Sequence, residues 1–159
     1  MSYKAAVITV SDNCFAGKRI DTSGPAVKEI LTRAGFEVIY TSIVPDERHL
    51  ISEELAKCCF SVNADLVITT GGTGLSHRDV TPEATRDVID REIPAITNAM
   101  LYYSLQITNR AMLSRAVAGT RGDALIINLP GSEKAARENL EAVVGALEHG
   151  LQMLAGGGH

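Results

Sequence analysis

The sequence predicts an α/β protein, a three-layer α/β/α sandwich around a mostly parallel but mixed sheet. Two observations carry the layers. Short apolar runs rich in Val and Ile, at residues 5–10, 66–70 and 124–129, read as strands covered on both faces. Between them lie segments with apolar residues at helical spacing, opened by Ser or Pro and, in one case, closed by Gly. Strand alternating with helix puts helices on both faces of a parallel sheet. A third observation makes the sheet mixed: the Arg121-Gly122-Asp123 link before residues 124–129 is so short that it can join only antiparallel neighbours.

Each element has its own signal. Residues 5–10 form the first strand, and Ser11-Asp12-Asn13 opens a polar loop that runs to Thr22. Ser23-Gly24-Pro25 starts a helix, with Pro in the first turn where its missing N–H costs nothing. Val27, Ile30, Leu31 and Ala34 share one face of it, and Gly35 ends it as a left-handed cap. Residues 36–44 form the next strand, closed by Pro45. Pro45-Asp46-Glu47 then opens a helix that contains Leu50, Ile51, Leu55 and Cys58. The spacing makes Asp46 its N-cap, a position that also faces the ligand edge of the sheet. After the strand at 66–70 come a glycine loop, a helix over 82–90 and another from about 94 to 107, with Ile96, Met100, Tyr103 and Ile107 at helical spacing. Ser114-Arg115 leads into a strand beginning near Ala116. The last helix carries Ala136, Leu140, Val143, Leu147, Leu151 and Leu154 on one face, and residues 155–159 are expected to be a flexible tail.

With 159 residues and no break in composition, the chain reads as one domain over residues 1–159. A net charge of −4 offers no clustered basic face for a nucleic-acid backbone. No run of about eighteen apolar residues occurs and the N-terminus has no leader pattern, so a cytoplasmic protein is expected. Cys14, Cys58 and Cys59 have neither disulfide nor zinc spacing, and the adjacent pair reads as small apolar groups on a helix. The histidines lack metal-ligand spacing; His77 alone lies in the glycine loop, as a solvent-facing residue or a phosphate contact.

The organising stretch is Thr70-Gly71-Gly72-Thr73-Gly74, followed by Arg78-Asp79 and Thr81-Pro82-Glu83-Ala84. Glycines let the backbone reach positive φ and bring bare N–H groups to an anion, and a helix N-terminus close by adds a positive field. It is neither a Walker A loop, which needs Gly-Lys-Ser/Thr, nor a dinucleotide fingerprint, whose third glycine is missing. A plain turn needs no charges, whereas Arg78 suits phosphate oxygens and Asp79 a divalent metal. Asn128-Leu129-Pro130-Gly131-Ser132 repeats the plan of strand, glycine turn, Ser cap and helix. Lys134 in that first helical turn opposes the helix dipole, either as a solvated lysine or as a charge that serves an anion. Loops after Val10, Val44, Thr70 and Leu129 all follow strands, so they gather at one sheet edge. A crevice there with two glycine loops and Asp12, Asp46 and Asp79 suits a phosphorylated ligand with Mg²⁺. It holds no activated nucleophile.

These blocks, with Ser11-Asp12, Ser23-Gly24-Pro25, Pro45-Asp46-Glu47 and Ser114-Arg115-Ala116 in order, resemble the MogA/MoaB family of molybdenum-cofactor proteins, to which the G domains of gephyrin and plant Cnx proteins are also similar. The similarity runs from about Lys4 to Leu154. What the resemblance implies is a MogA-like fold and molybdopterin adenylyltransfer, with ATP and Mg²⁺, in a homotrimer or hexamer that hands product to the molybdate-insertion enzyme. On that basis Asp46 and Asp79 organise the metal and transition state, while Gly72, Thr73 and Gly74 donate to phosphate. Thr70, Gly71, Ser11, Asp12 and Arg78 complete the binding rim. Asn128, Pro130, Gly131 and Ser132 hold the second ligand, and Ser114 and Arg115 the phosphate of molybdopterin. Glu133 stands where the family often has Pro. Two other readings are a non-catalytic molybdopterin-binding protein of MoaB type and a domain of molybdate insertion or nucleotide amide hydrolysis. Those last relatives usually sit in longer chains.

Overall fold

A computed structural model describes residues 2–156. The elements are β1 (Lys4–Val10), α1 (Asp12–Phe15), α2 (Ser23–Arg33), β2 (Glu37–Val44), α3 (Arg48–Phe60), β3 (Leu66–Thr70), α4 (Thr81–Arg86), β4 (Arg91–Glu92), α5 (Pro94–Leu105), a 3₁₀ segment (Asn109–Leu113), β5 (Ala118–Arg121), β6 (Ala124–Leu129) and α6 (Glu133–Leu154). Strand order is β2-β1-β3-β6-β5-β4. The first four strands are parallel, and β5 and β4 extend the sheet antiparallel. The three-layer mixed sandwich is therefore as expected.

Period-two alternation divides the core between the two faces. Ala5, Val7, Leu125, Ile127 and Leu129 point to the side covered by α2, α5 and α6. Ala6, Ile8, Val10 and Ile126 meet Ile51, Leu55 and Cys58 of α3 and Ala84 of α4. Burial pushes the Cys58 thiol up to about 12 and the Cys59 thiol to about 11, so both stay protonated and act as core groups.

Register sets the ligand edge. Val10 pairs with Val44, Thr9 with Thr70, and Thr70 with Leu129, so four strands end level with one another. The Gly71 N–H continues the ladder to the Leu129 carbonyl at 3.0 Å, and the Ser11 N–H reaches the Val44 carbonyl at 2.9 Å. The hairpin link is a two-residue turn in which Gly122 takes φ +57°, because Arg121 pairs with Ala124.

Several local expectations are corrected. The loop after β1 begins with α1, capped by Ser11 Oγ, which accepts from the Cys14 N–H. Glu47, not Asp46, stands at the α3 cap position, because the Asp46 carboxylate is turned to the Asp12 N–H. The helix expected over 82–90 is only Thr81–Arg86. Asp90 instead accepts from Thr120 Oγ1 and the Gly122 N–H, and Arg91–Glu92 becomes an edge strand on β5. The helix expected to reach 107 stops at Leu105, and the strand expected from 116 starts at Ala118. Ala34 is exposed, while Ser23, Gly24 and Ala26 are the additional buried residues of α2. Of the expected tail, Ala155 and Gly156 close α6, and residues 157–159 lie outside the described residues.

Candidate active site

The glycine loop is built by close approach. Gly71 has φ +101°, and a Cβ there would land on the Val10 carbonyl oxygen. Gly72 has φ +70°; its carbonyl takes the Thr81 N–H at 3.1 Å, and Thr81 Oγ1 donates to the Gly71 carbonyl at 3.0 Å. Thr81, read from sequence only as a helix start, thus pins the loop to the first turn of α4. The second loop rests on the first: a Cβ at Gly131 would sit 3.3 Å from Gly71 Cα, and Ser23 Oγ donates to the Gly131 carbonyl at 2.6 Å. Ser132 caps α6 by accepting from the Ala135 N–H, as expected. Among the described residues, the N–H groups of Gly72, Thr73 and Gly74 have no protein acceptor.

Three acids stand beside these amides. Asp12 and Asp46 bond reciprocally, each N–H donating to the other's carboxylate at 2.9 Å. Burial pushes the Asp46 carboxyl up, and the charges of Asp12 and Asp79 push it the same way. Asp79 Oδ2 accepts from the Ser76 N–H at 3.1 Å and closes a turn at the loop tip. A Cβ on Gly72 would lie 3.2 Å from Asp46 Oδ1, and one on Gly74 would lie 2.9 Å from Asp79 Oδ2, so the two carboxylates flank the free amides. No group of three or more His, Cys, Asp or Glu among the described residues forms a ready cage for a metal. The donors do fit Mg²⁺, which is commonly held by one or two carboxylates together with the phosphates of its substrate.

The arginines behave differently from expectation. Arg78 is spent on acids: its Nε and Nη2 donate to Asp12 at 3.1 and 3.0 Å, and its Nη1 donates to Glu47 at 3.1 Å. That guanidinium holds the Asp12 carboxyl below its ordinary value. Arg115 is a strut. Its Nε donates to the Gly74 carbonyl at 2.9 Å, its Nη2 to the Asp79 carbonyl at 2.7 Å and its Nη1 to Glu83 at 2.7 Å, while its own N–H reaches the Thr73 carbonyl. Arg115→Lys replaces a rigid fork by a point donor and leaves at least one carbonyl unpaired. About 2 kcal/mol of stability should be lost, with faster hydrogen exchange at residues 74–79, read by calorimetry and exchange mass spectrometry.

Asn128 is fully buried and its bonds are internal. Its Oδ1 accepts from the Val117 N–H, and its Nδ2 donates to Thr69 and Thr85, all at 3.0 Å. The structure therefore places it behind the site and not on its surface, joining β3, α4 and the entry to β5. Asn128→Ala strands a buried N–H and should cost about 3 kcal/mol, seen as a fall in the urea midpoint. Sequence reading quoted Glu83, Glu47 and Ser23 in motifs without assigning their partners and did not single out Thr85, because nothing local announces a partner tens of residues away.

A cavity of about 820 Å³ opens beside the loops. Gly72, Thr73, Gly74, Asp79, Ser114, Pro130, Gly131 and Ser132 line it, so the structure brings half of the expected residues to this cavity. Asp12, Asp46 and Arg78, linked to one another by the bonds above, form an adjoining charged cluster, and Ser11 precedes it at the α1 cap. Thr70, its Oγ1 buried without a partner, lies below with Gly71. His77 is exposed at the loop tip.

The profile described as a probable molybdopterin binding domain matches residues 6–149. The chain belongs to the molybdopterin-binding domain family. Within it, the chain is 43% identical over 152 residues to the molybdopterin adenylyltransferase of Helicobacter pylori, spanning 94% of this chain and 86% of that protein. It is 41% identical to the molybdopterin adenylyltransferase of Escherichia coli K12, over 88% of this chain and 73% of that one. It is also 41% identical to the molybdenum cofactor synthesis protein cinnamon of Drosophila melanogaster, of which it spans only 25%. The crystal structure of the molybdopterin biosynthesis enzyme MoaB from Thermus thermophilus superposes with a TM-score of 0.92 at 47% identity, covering 97% of each chain. This family likeness agrees with the resemblance read from the motifs.

Proposed function

We propose that the chain is a molybdopterin adenylyltransferase of molybdenum cofactor biosynthesis, acting as a single domain. The observation that carries this reading is the row of free amides at Gly72, Thr73 and Gly74, flanked by Asp46 and Asp79. An oxygen of the terminal phosphate of molybdopterin attacks the α-phosphorus of ATP. The bond from that phosphorus to the bridging oxygen of the β-phosphate breaks, giving adenylyl-molybdopterin and pyrophosphate. With no activated nucleophile in the crevice, the rate comes from positioning and charge. The free amides hold a phosphate in line, and the Arg115 strut keeps their spacing. Asp46 and Asp79 would hold Mg²⁺, which neutralises phosphate charge when bound. Kinship with the two bacterial adenylyltransferases supports turnover over mere binding.

Assembly as a homotrimer in the cytoplasm belongs to the same proposal. Tyr102 is 72% exposed and Met112 63% exposed on α5 and the 3₁₀ segment, which suits a covered face in an oligomer. No described helix is long and apolar enough to cross a membrane. The product, a phosphoanhydride, suits a following molybdate-insertion step. The test mixes the protein with molybdopterin, Mg²⁺ and ATP labelled at the α-phosphate. Label is expected in the pterin product; its absence overturns the reading.

A further inference from the structure

The cavity lining also carries two cations, Lys134, whose place in a helical first turn the sequence already marked, and Arg110, which no motif announces. α5, the link after it and the 3₁₀ segment contribute Met100, Leu101, Ile107 and Arg110 to the lining, and the first turns of α6 contribute Lys134. Among the described residues neither cation has a carboxylate partner. The acids nearest to Lys134 in sequence do not serve it: Glu133 accepts from Arg137 at 3.1 Å, and Glu138, one turn on in the cavity wall, makes no ion pair with it. The two site arginines that motif reading favours are already saturated, Arg78 by Asp12 and Glu47, Arg115 by Glu83 and two carbonyls.

Two cations without an ion pair thus line one partly apolar cavity, together with the carboxylates of Asp79 and Glu138, and Lys134 stands in the first turn of a 22-residue helix, where the dipole field is positive. A helix gains nothing from a lysine there unless an anion arrives. We propose that Arg110 and Lys134 form a two-cation clamp for a phosphate group of the ligand seated in this cavity. The proposal rests on the adenylyltransferase reading and deepens it. The shared chemistry is a phosphate flanked by apolar surface, from either the monophosphate of molybdopterin or the polyphosphate of ATP. Arg110 offers a fork for two phosphate oxygens and Lys134 a point charge.

The test measures equilibrium affinity of the full chain for molybdopterin alone and for ATP alone. Wild type is compared with Arg110→Gln, Lys134→Gln, the double variant, and Lys18→Gln, which removes a charge outside the cavity wall. Neither clamp side chain makes a hydrogen bond among the described residues, so the thermal midpoint should stay within about 2 °C. Each single variant should weaken one ligand about tenfold and the double variant about a hundredfold, with Lys18→Gln unchanged. A loss confined to molybdopterin identifies its monophosphate, and a loss confined to ATP identifies the polyphosphate. If wild type binds and transfers while the double variant holds both ligands as tightly, the clamp alone falls. If wild type binds neither ligand, the functional reading falls and the clamp with it.

Discussion

Asp79→Asn should reduce adenylyl transfer about a thousandfold, a loss at the upper end for one electrostatic group in a catalytic site, while molybdopterin remains bound. The substitution keeps the shape of the side chain. Its amide oxygen can still accept from the Ser76 N–H, so the turn at the loop tip survives. The strut through the Asp79 carbonyl is main chain and is untouched. What disappears is one of the two charges flanking the free amides, and with it part of the repulsion that raises the Asp46 carboxyl. Ground-state binding should therefore hold or improve as turnover collapses, which marks a group needed in the transition state. Label transfer from ATP and a molybdopterin titration, run on the same preparation, separate the two. Normal turnover in this variant would demote Asp79 to a turn residue.

Gly71→Ala should destabilise the fold by about 4 kcal/mol, or roughly 10 °C in thermal midpoint at this chain length. Two costs coincide. The residue has φ +101°, which an L side chain rarely adopts, and the new Cβ would meet the Val10 carbonyl oxygen, a backbone atom with no freedom to move. Gly35→Ala is the control. Its φ of +99° is nearly the same, yet a Cβ there would meet nothing within 4 Å, so about 1 kcal/mol is expected. A thermal melt of both variants isolates the contact from the torsion; equal midpoints would show that the two glycine loops and β1 are not packed as described.

The layers and the ligand edge were legible because they depend on local periodicity. Val, Ile and Leu runs can only be buried strands in a chain of this composition, and helical spacing between them forces the crossovers. The short Gly122 turn likewise announced the antiparallel hairpin. Glycine loops after strands are equally local, so the cluster of Gly72, Thr73, Gly74, Gly131 and Ser132 could be read in advance, and the family motif assigned it a chemistry.

The roles of charged and amide side chains were decided elsewhere. Arg78 and Arg115 look alike in sequence, as cations beside a phosphate loop. Only the tertiary structure brings Asp12 and Glu47 to the first, and Glu83 with two loop carbonyls to the second. Asn128 reads as a rim residue until β3, α4 and the entry to β5 close over it and take its side-chain hydrogen bonds. Asp46 reads as a cap until β1 ends level with β2 and offers the Asp12 N–H. Backbone conformation follows from neighbours in the chain and can be inferred from them. The partner of a long polar side chain is a contact across the sheet, so the sequence by itself determined the loops, and folding determined which of their charges remain free for a ligand.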